Sequence, residues 1–291
     1  MDEDYLKKVI KFQKDEMTGY VIYGKLAGLI KDPHNSEVLR EMSATEMRHY
    51  QFWKKISNVE VKPNYLKAFF SALMARVLGI TFTIKLLEKN EAAGSAEYAV
   101  FDSVVPGAAQ LGKDEEEHEN SLAGMIKEDF LSYMGSIVLG LNDALVELTG
   151  TLAGLTFALQ TGKLVAISGL VTGIAASFSM AASEYLSARA ENNPKAIRSA
   201  LYTGLAYIIT VILLILPYLL IPQHDTGIYV SLGATLLIAV LIIFGFNFYI
   251  SVAKDLSFKR RFLEMFLISM GVAVCSFGVG LLVRTAFGVE L

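Results

Sequence analysis

The sequence predicts an all-α chain in two parts: a polar helical domain over residues 1–130 and a five-helix transmembrane domain over residues 131–291. Three observations predict it. Residues 1–130 hold 21 acidic and 17 basic side chains, whereas the rest of the chain holds only 8 and 9. Five apolar stretches follow one another in the second part, at about 133–160, 164–188, 199–221, 228–252 and 262–287. Each supplies the roughly 20 helical residues that cross a bilayer core. In the first part apolar residues recur at helical spacing, and no stretch alternates as a strand would.

The polar part reads as helices at about 4–31, 35–57, 64–105 with a break near Gly79, and 108–129, with "KDPHN" and "VVPG" as turns. On the second helix Val38, Met42, Glu46, His49, Phe52 or Trp53, and Ile56 share one face, so "EMRH" (46–49) falls within the buried stripe. On the fourth, Leu111, Glu115, His118, Leu122 and Met125 share a face, leaving Glu116, Glu117 and Glu119 to look outward. An ionised carboxylate in an apolar stripe is costly unless it is paired or bound to a cation. Glu-x-x-His sets a carboxylate and an imidazole one helical turn apart, where they can hold one ion or two adjacent ions. The preceding helices offer Glu16, in register with Gln13 and Tyr20, and then Glu88 or Glu91, with Glu97 as a weaker choice. The apolar run 64–87, interrupted by Lys67, Arg76 and Lys85, is expected to lay its apolar face on the membrane surface, on a second protomer or in the domain core.

Through Glu16, "EMRH", "EKNE" (88–91) and "EEEH" (115–118), residues 1–130 resemble the rubrerythrin group of the ferritin-like superfamily. The resemblance implies a ferritin-like four-helix bundle. It also implies a di-iron centre, or its manganese equivalent, bound by Glu16, Glu46, His49, Glu91, Glu115 and His118, with Glu88 beside Glu91. The rubredoxin-like cysteines of that group are absent. The chain has one cysteine, Cys275, inside an apolar run, so neither a disulfide framework nor a cysteine metal site is expected.

In the apolar part, positive residues set the direction of insertion. Arg189, Lys195 and Arg198 join the second span to the third, and Lys254, Lys259, Arg260 and Arg261 join the fourth to the fifth. The opposite ends show only Lys163 and Arg284. The N-terminal stretch "MDEDYLKKVIKFQKDEM" lacks the apolar core of a signal peptide. These features predict a cytosolic N-terminal domain, an external C-terminus and residence in the cell membrane. A net charge of -3 gives no reason to expect nucleic acid.

Ionisable residues within a span are functional candidates because hydrocarbon tolerates them poorly. Asp143 and Glu147 lie four apart in the first span, and Ser177, Met180, Glu184, Ser187 and Glu191 follow one face of the second. Counting from the inner ends of the two spans places Asp143 and Glu184 at similar depth. Carboxylates with a thioether suit Fe²⁺ or Mn²⁺ better than Mg²⁺ or Ca²⁺. Gly150, Gly154, Gly169 and Gly173 would allow close helix packing.

Through Asp143 and "SMAASEYLSARAE" (179–191), the second part resembles the vacuolar iron transporter family. The resemblance implies a homodimer that exports cytosolic Fe²⁺ or Mn²⁺ in exchange for protons, with Asp143 and Met180 on the path. Plant-type members carry a Glu about two turns before the methionine, where this chain has the region of Thr172, so Glu147 or Glu184 would replace it. Those members also carry a cytosolic metal-binding helical insert between spans two and three, where this chain has only "ARAENNPKAIRSA". The ferritin-like domain would then collect the metal. The rival expectations are a membrane-anchored di-iron oxidase or peroxidase and, more weakly, a sensor whose metal occupancy gates the pore.

Overall fold

The computed structural model describes residues 3–89, 105–109, 111–113, 132–222 and 226–287, apart from the Arg284 side chain. Every regular element among them is an α-helix. The chain divides into two compact units, Met1–Glu128 and Asp129–Leu291.

In the first unit α1 (Glu3–Leu29) and α2 (Pro33–Ser57) form an antiparallel hairpin. The expected "KDPHN" turn is short because it also starts the second helix. Asp32 caps α2 by accepting from the Asn35 amide at 2.8 Å, and Pro33 occupies the first turn, where a missing N–H costs nothing. Asn58, left-handed at φ 52°, ends the helix. Ile22, Tyr23 and Leu26 of α1 pack on Val38, Leu39 and Met42 of α2 at the turn end, and Val9 and Phe12 meet Trp53 at the open end. Hydroxyls also tie the pair together: Ser36 Oγ donates to the Ala27 carbonyl and Ser43 Oγ to that of Tyr20, both at 3.0 Å. Buried Gln13 accepts from Ser57 Oγ at 2.7 Å and donates to the Val59 carbonyl at 2.9 Å, which anchors the loop after α2.

α3 (Tyr65–Leu78) begins with Asn64 accepting from the Lys67 amide at 3.0 Å. The break expected near Gly79 is present: φ is 92° there, a conformation that glycine adopts freely, and residues 80–89 resume a helix. Tyr20 departs from the expected register with Gln13 and Glu16. It lies at the edge of the buried face of α1, and its ring is exposed. Most of the expected fourth helix lies outside the described residues.

The second unit consists of α4 (Met134–Leu159), α5 (Gly162–Ala190), α6 (Ala196–Leu220), α7 (Gly227–Ala253) and α8 (Phe258–Phe287). All five are long and apolar enough to cross a membrane. α4 is central, with Leu145, Leu148 and Leu152 packed among Val165 of α5, Val211 and Leu214 of α6 and Ile243 of α7. Small residues let backbones approach, as expected of Gly150 and Gly154. A Cβ on Gly150 would stand 2.9 Å from Ser276 Oγ, one on Gly154 3.0 Å from the Ser276 carbonyl oxygen, and one on Gly280 would collide with the Gly154 carbonyl. Gly169 and Gly173 seat Leu152 and Val211 in the same way.

Candidate functional site

In the first unit, α1 and α2 turn three of the expected ligands inward. Glu16, Glu46 and His49 are all buried, and His49 Nδ1 lies 3.5 Å from Glu16 Oε2. Glu46 and His49 enter the interior because they continue the stripe of Val38, Met42 and Trp53, all buried on the same helix. Gly19 of α1 leaves room for the Glu46 carboxylate, which an added Cβ would strike. Glu88 lies in the helical segment 80–89, with its Oε1 shielded from solvent. Glu91, Glu97, Glu115 and His118 lie outside the described residues. Among the described residues, no three His, Cys, Asp or Glu side chains gather into a metal-holding group.

In the second unit, the four expected pathway residues separate into four environments. Asp143, on α4, opens into a cleft of about 540 Å³ bounded by α7 and α8. Asn142, Asn247, Arg261, Glu264 and Met265 line it as well. Asn142 Oδ1 is shielded from solvent and accepts no hydrogen bond from the described residues. Asn247 Nδ2 donates to the Ile243 carbonyl at 2.8 Å and to Met265 Sδ at 3.2 Å. Glu264, exposed at the rim, pairs with Arg260 at 2.9 Å. Glu147, one turn beyond Asp143, is instead held by Tyr207 of α6, whose hydroxyl donates to its Oε2 at 2.6 Å.

Glu184, on α5, accepts from Ser136 Oγ at 2.7 Å. This bond corrects the expectation of similar depth. It places the Glu184 carboxylate at the first turn of α4, two turns or about 10 Å before Asp143. The count from helix ends fails because a glutamate carboxylate lies several ångströms from its Cα and can lean toward the end of its helix. Met180 is half-buried against the core. The expected polar face of α5 is divided: Ser177 is buried and donates to the Gly204 carbonyl at 3.0 Å, while Ser187 and Glu191 are exposed.

Sequence reasoning missed Tyr207 and Asn247. Both carried a signal, since each is a polar-tipped residue inside an apolar run, "GLAYIIT" and "FGFNFYI". The search for charges passed over uncharged donors, whose hydrogen bonds to a carboxylate strengthen in a low-dielectric interior.

The helices and buried polar groups define an integral membrane protein with ionisable side chains inside its spans. Within that class, residues 134–195, which cover α4, α5 and the link after them, match the VIT family model, and the match supports a membrane domain of the vacuolar iron transporter kind. No curated protein and no solved structure matches the chain.

Proposed function

We propose that the protein exports Fe²⁺ or Mn²⁺ from the cytosol in exchange for protons, as a homodimer whose polar domain faces the cytosol and collects the metal. One observation carries the reading: Asp143, within the stretch that matches the VIT family, opens into a cleft between membrane helices that Asn142, Asn247, Arg261 and Glu264 also line. Beside it, the unsatisfied Asn142 Oδ1 offers a second oxygen, and hard oxygen donors accept a divalent cation. Carboxylates exchange metal for protons because both compete for the same oxygens, so protonation lowers metal affinity. The cationic loops after α5 and α7 support the cytosolic placement of the polar domain.

The polar domain contributes a ferritin-like di-metal centre to this reading. Buried Glu16 and His49, 3.5 Å apart, support it as a carboxylate and an imidazole on facing helices, with buried Glu46 one turn before His49. Glu115 and His118 would complete the set, with Glu91 or Glu88. When bound, a di-iron pair would supply ferroxidase chemistry. The residues of this chain orient the donors: α1 and α2 bury them, and Gly19 leaves room for the Glu46 carboxylate.

The second reading is a membrane-anchored di-iron oxidase or peroxidase, favoured by the same buried Glu16, Glu46 and His49. Metal uptake into inside-out vesicles separates the two, using wild type and Asp143→Ala, with and without a gradient acidic inside. The exporter reading expects uptake to vanish in Asp143→Ala while the polar domain keeps its metal. Equal uptake in both proteins would defeat transport, and uptake indifferent to the gradient would defeat proton exchange alone.

A further inference from the structure

The α3 helix is inverted relative to an ordinary surface helix. Its inward face is made of small residues, with Ala68 and Ser71 buried and Ala75 against the core. Its large apolar side chains point away: Leu66 is 67% exposed, Phe69 59%, Phe70 56%, Leu73 46% and Val77 71%. Their spacing forms one continuous stripe along the helix. Soluble domains rarely leave an apolar surface of this kind uncovered.

The charge beside the stripe indicates what covers it. No acidic residue occurs from 61 to 87, whereas Lys62, Lys67, Arg76 and Lys85 do, in a domain that is otherwise net acidic. Lys67 is partly engaged, since it favours the ionised form of Asp15 on α1, but Lys62 and Arg76 face outward. Between α3 and the helical residues 80–89 lies a cleft of about 520 Å³, lined by Phe70, Leu73, Met74, Val77 and Leu86, with Lys67 at its edge. Apolar walls with a cation at the edge suit an acyl chain below a phosphate. A second copy of the same face would bring like charges together, which argues against self-pairing.

We propose that α3 is an interfacial helix that docks the polar domain on an anionic phospholipid leaflet, with Leu66, Phe69, Phe70, Leu73 and Val77 among the acyl chains and Lys62 and Arg76 at the phosphates. Basic residues flanking an apolar helical face are the signature of interfacial binding. The spans of the same chain keep a leaflet within reach wherever the protein resides. The inference stands apart from metal transport and survives if the protein proves to be an anchored oxidase.

The test uses the full chain in proteoliposomes, on a Cys275→Ser background, with single nitroxide labels at Leu66→Cys, Phe70→Cys and Val77→Cys. Ala44→Cys, exposed on α2, serves as the control. In membranes containing phosphatidylglycerol, the three α3 labels should collide with oxygen several-fold more, relative to a water-soluble nickel chelate, than the control does. Adding Lys62→Glu and Arg76→Glu should return them to the control value with metal content unchanged. Two results would overturn the proposal: chelate access at the α3 labels equal to that at Ala44→Cys, or protection accompanied by spin–spin coupling between protomers that is the same in uncharged lipid. The second result would assign the face to another copy of the chain.

Discussion

Tyr207 on α6 donates to the Glu147 carboxylate on α4 at 2.6 Å, and its ring is completely buried. A carboxylate within a span is stabilised by such a donor, so removing the hydroxyl leaves an acceptor short of a partner. Tyr207→Phe should cost about 1.5–3 kcal/mol, the range for a hydrogen bond to a charged group. Thermal unfolding of the purified protein in micelles checks this. An unchanged midpoint would mean that Glu147 takes its donor from elsewhere.

The separation of Asp143 from Glu184 predicts unequal effects on transport. Asp143→Asn should reduce metal uptake about tenfold or more, as loss of a ligand contact does, whereas Glu184→Gln should reduce it by a smaller factor. Ser136→Ala removes the donor to the Glu184 carboxylate and should likewise have the smaller effect. Initial rates in vesicles at equal protein content decide it. The reverse order of effects would move the path to the end of α5.

Close packing makes some glycines irreplaceable and others not. A Cβ on Gly140 would collide with the Thr203 backbone, whereas one on Gly233 of α7 would meet nothing within 4 Å. Gly140→Ala should therefore destabilise by about 1–3 kcal/mol, the usual cost of overpacking. Gly233→Ala should be neutral or slightly stabilising, since alanine favours a helix. Melting midpoints in one detergent compare the two directly.

Gly19→Ala tests the proposed metal centre without touching a ligand. The new methyl group displaces the Glu46 carboxylate, so Mn²⁺ affinity should fall by about 10- to 100-fold, as for loss of an orienting contact. Calorimetric titration of the full protein, with circular dichroism to verify helix content, reads the effect. Unchanged affinity would remove Glu46 from the ligand set.

In the last turn of α2, Lys54 pairs with Glu60 of the following loop at 2.8 Å. This contact holds the Glu60 carboxyl below its ordinary value and the Lys54 ammonium above its own. A lowered carboxyl contributes stability above the unfolded value of about 4.3 and loses it as pH falls through the folded value. The raised ammonium loses its share only as pH rises through the folded lysine value. Both groups are solvated, so Glu60→Gln should lower the melting midpoint at pH 7 by no more than about 2 °C, and by less as pH falls through the folded carboxyl value.

How much of this was legible depended on the kind of signal. The spans were legible because hydrocarbon imposes length and apolarity on each helix independently, so local composition suffices. Burial of Glu46 and His49 was legible because they extend a periodic stripe within one helix. The partners of Glu147 and Glu184 were not, because Tyr207 and Ser136 stand on other helices, and their meeting depends on rotation and tilt that no single-helix period encodes. The same reason hid the cleft at Asp143, which exists only where α4, α7 and α8 diverge.

The contact of Gly154 with Gly280 joins the first helix of the membrane unit to the last. During synthesis α4 leaves the ribosome well before α8, and until then the glycine face of α4 has no partner from its own chain. The bundle therefore closes only after α8 has emerged, by the return of that helix to α4. A ribosome stalled beyond α7 would leave the glycine face of α4 without α8 to cover it, and that seam open to lipid.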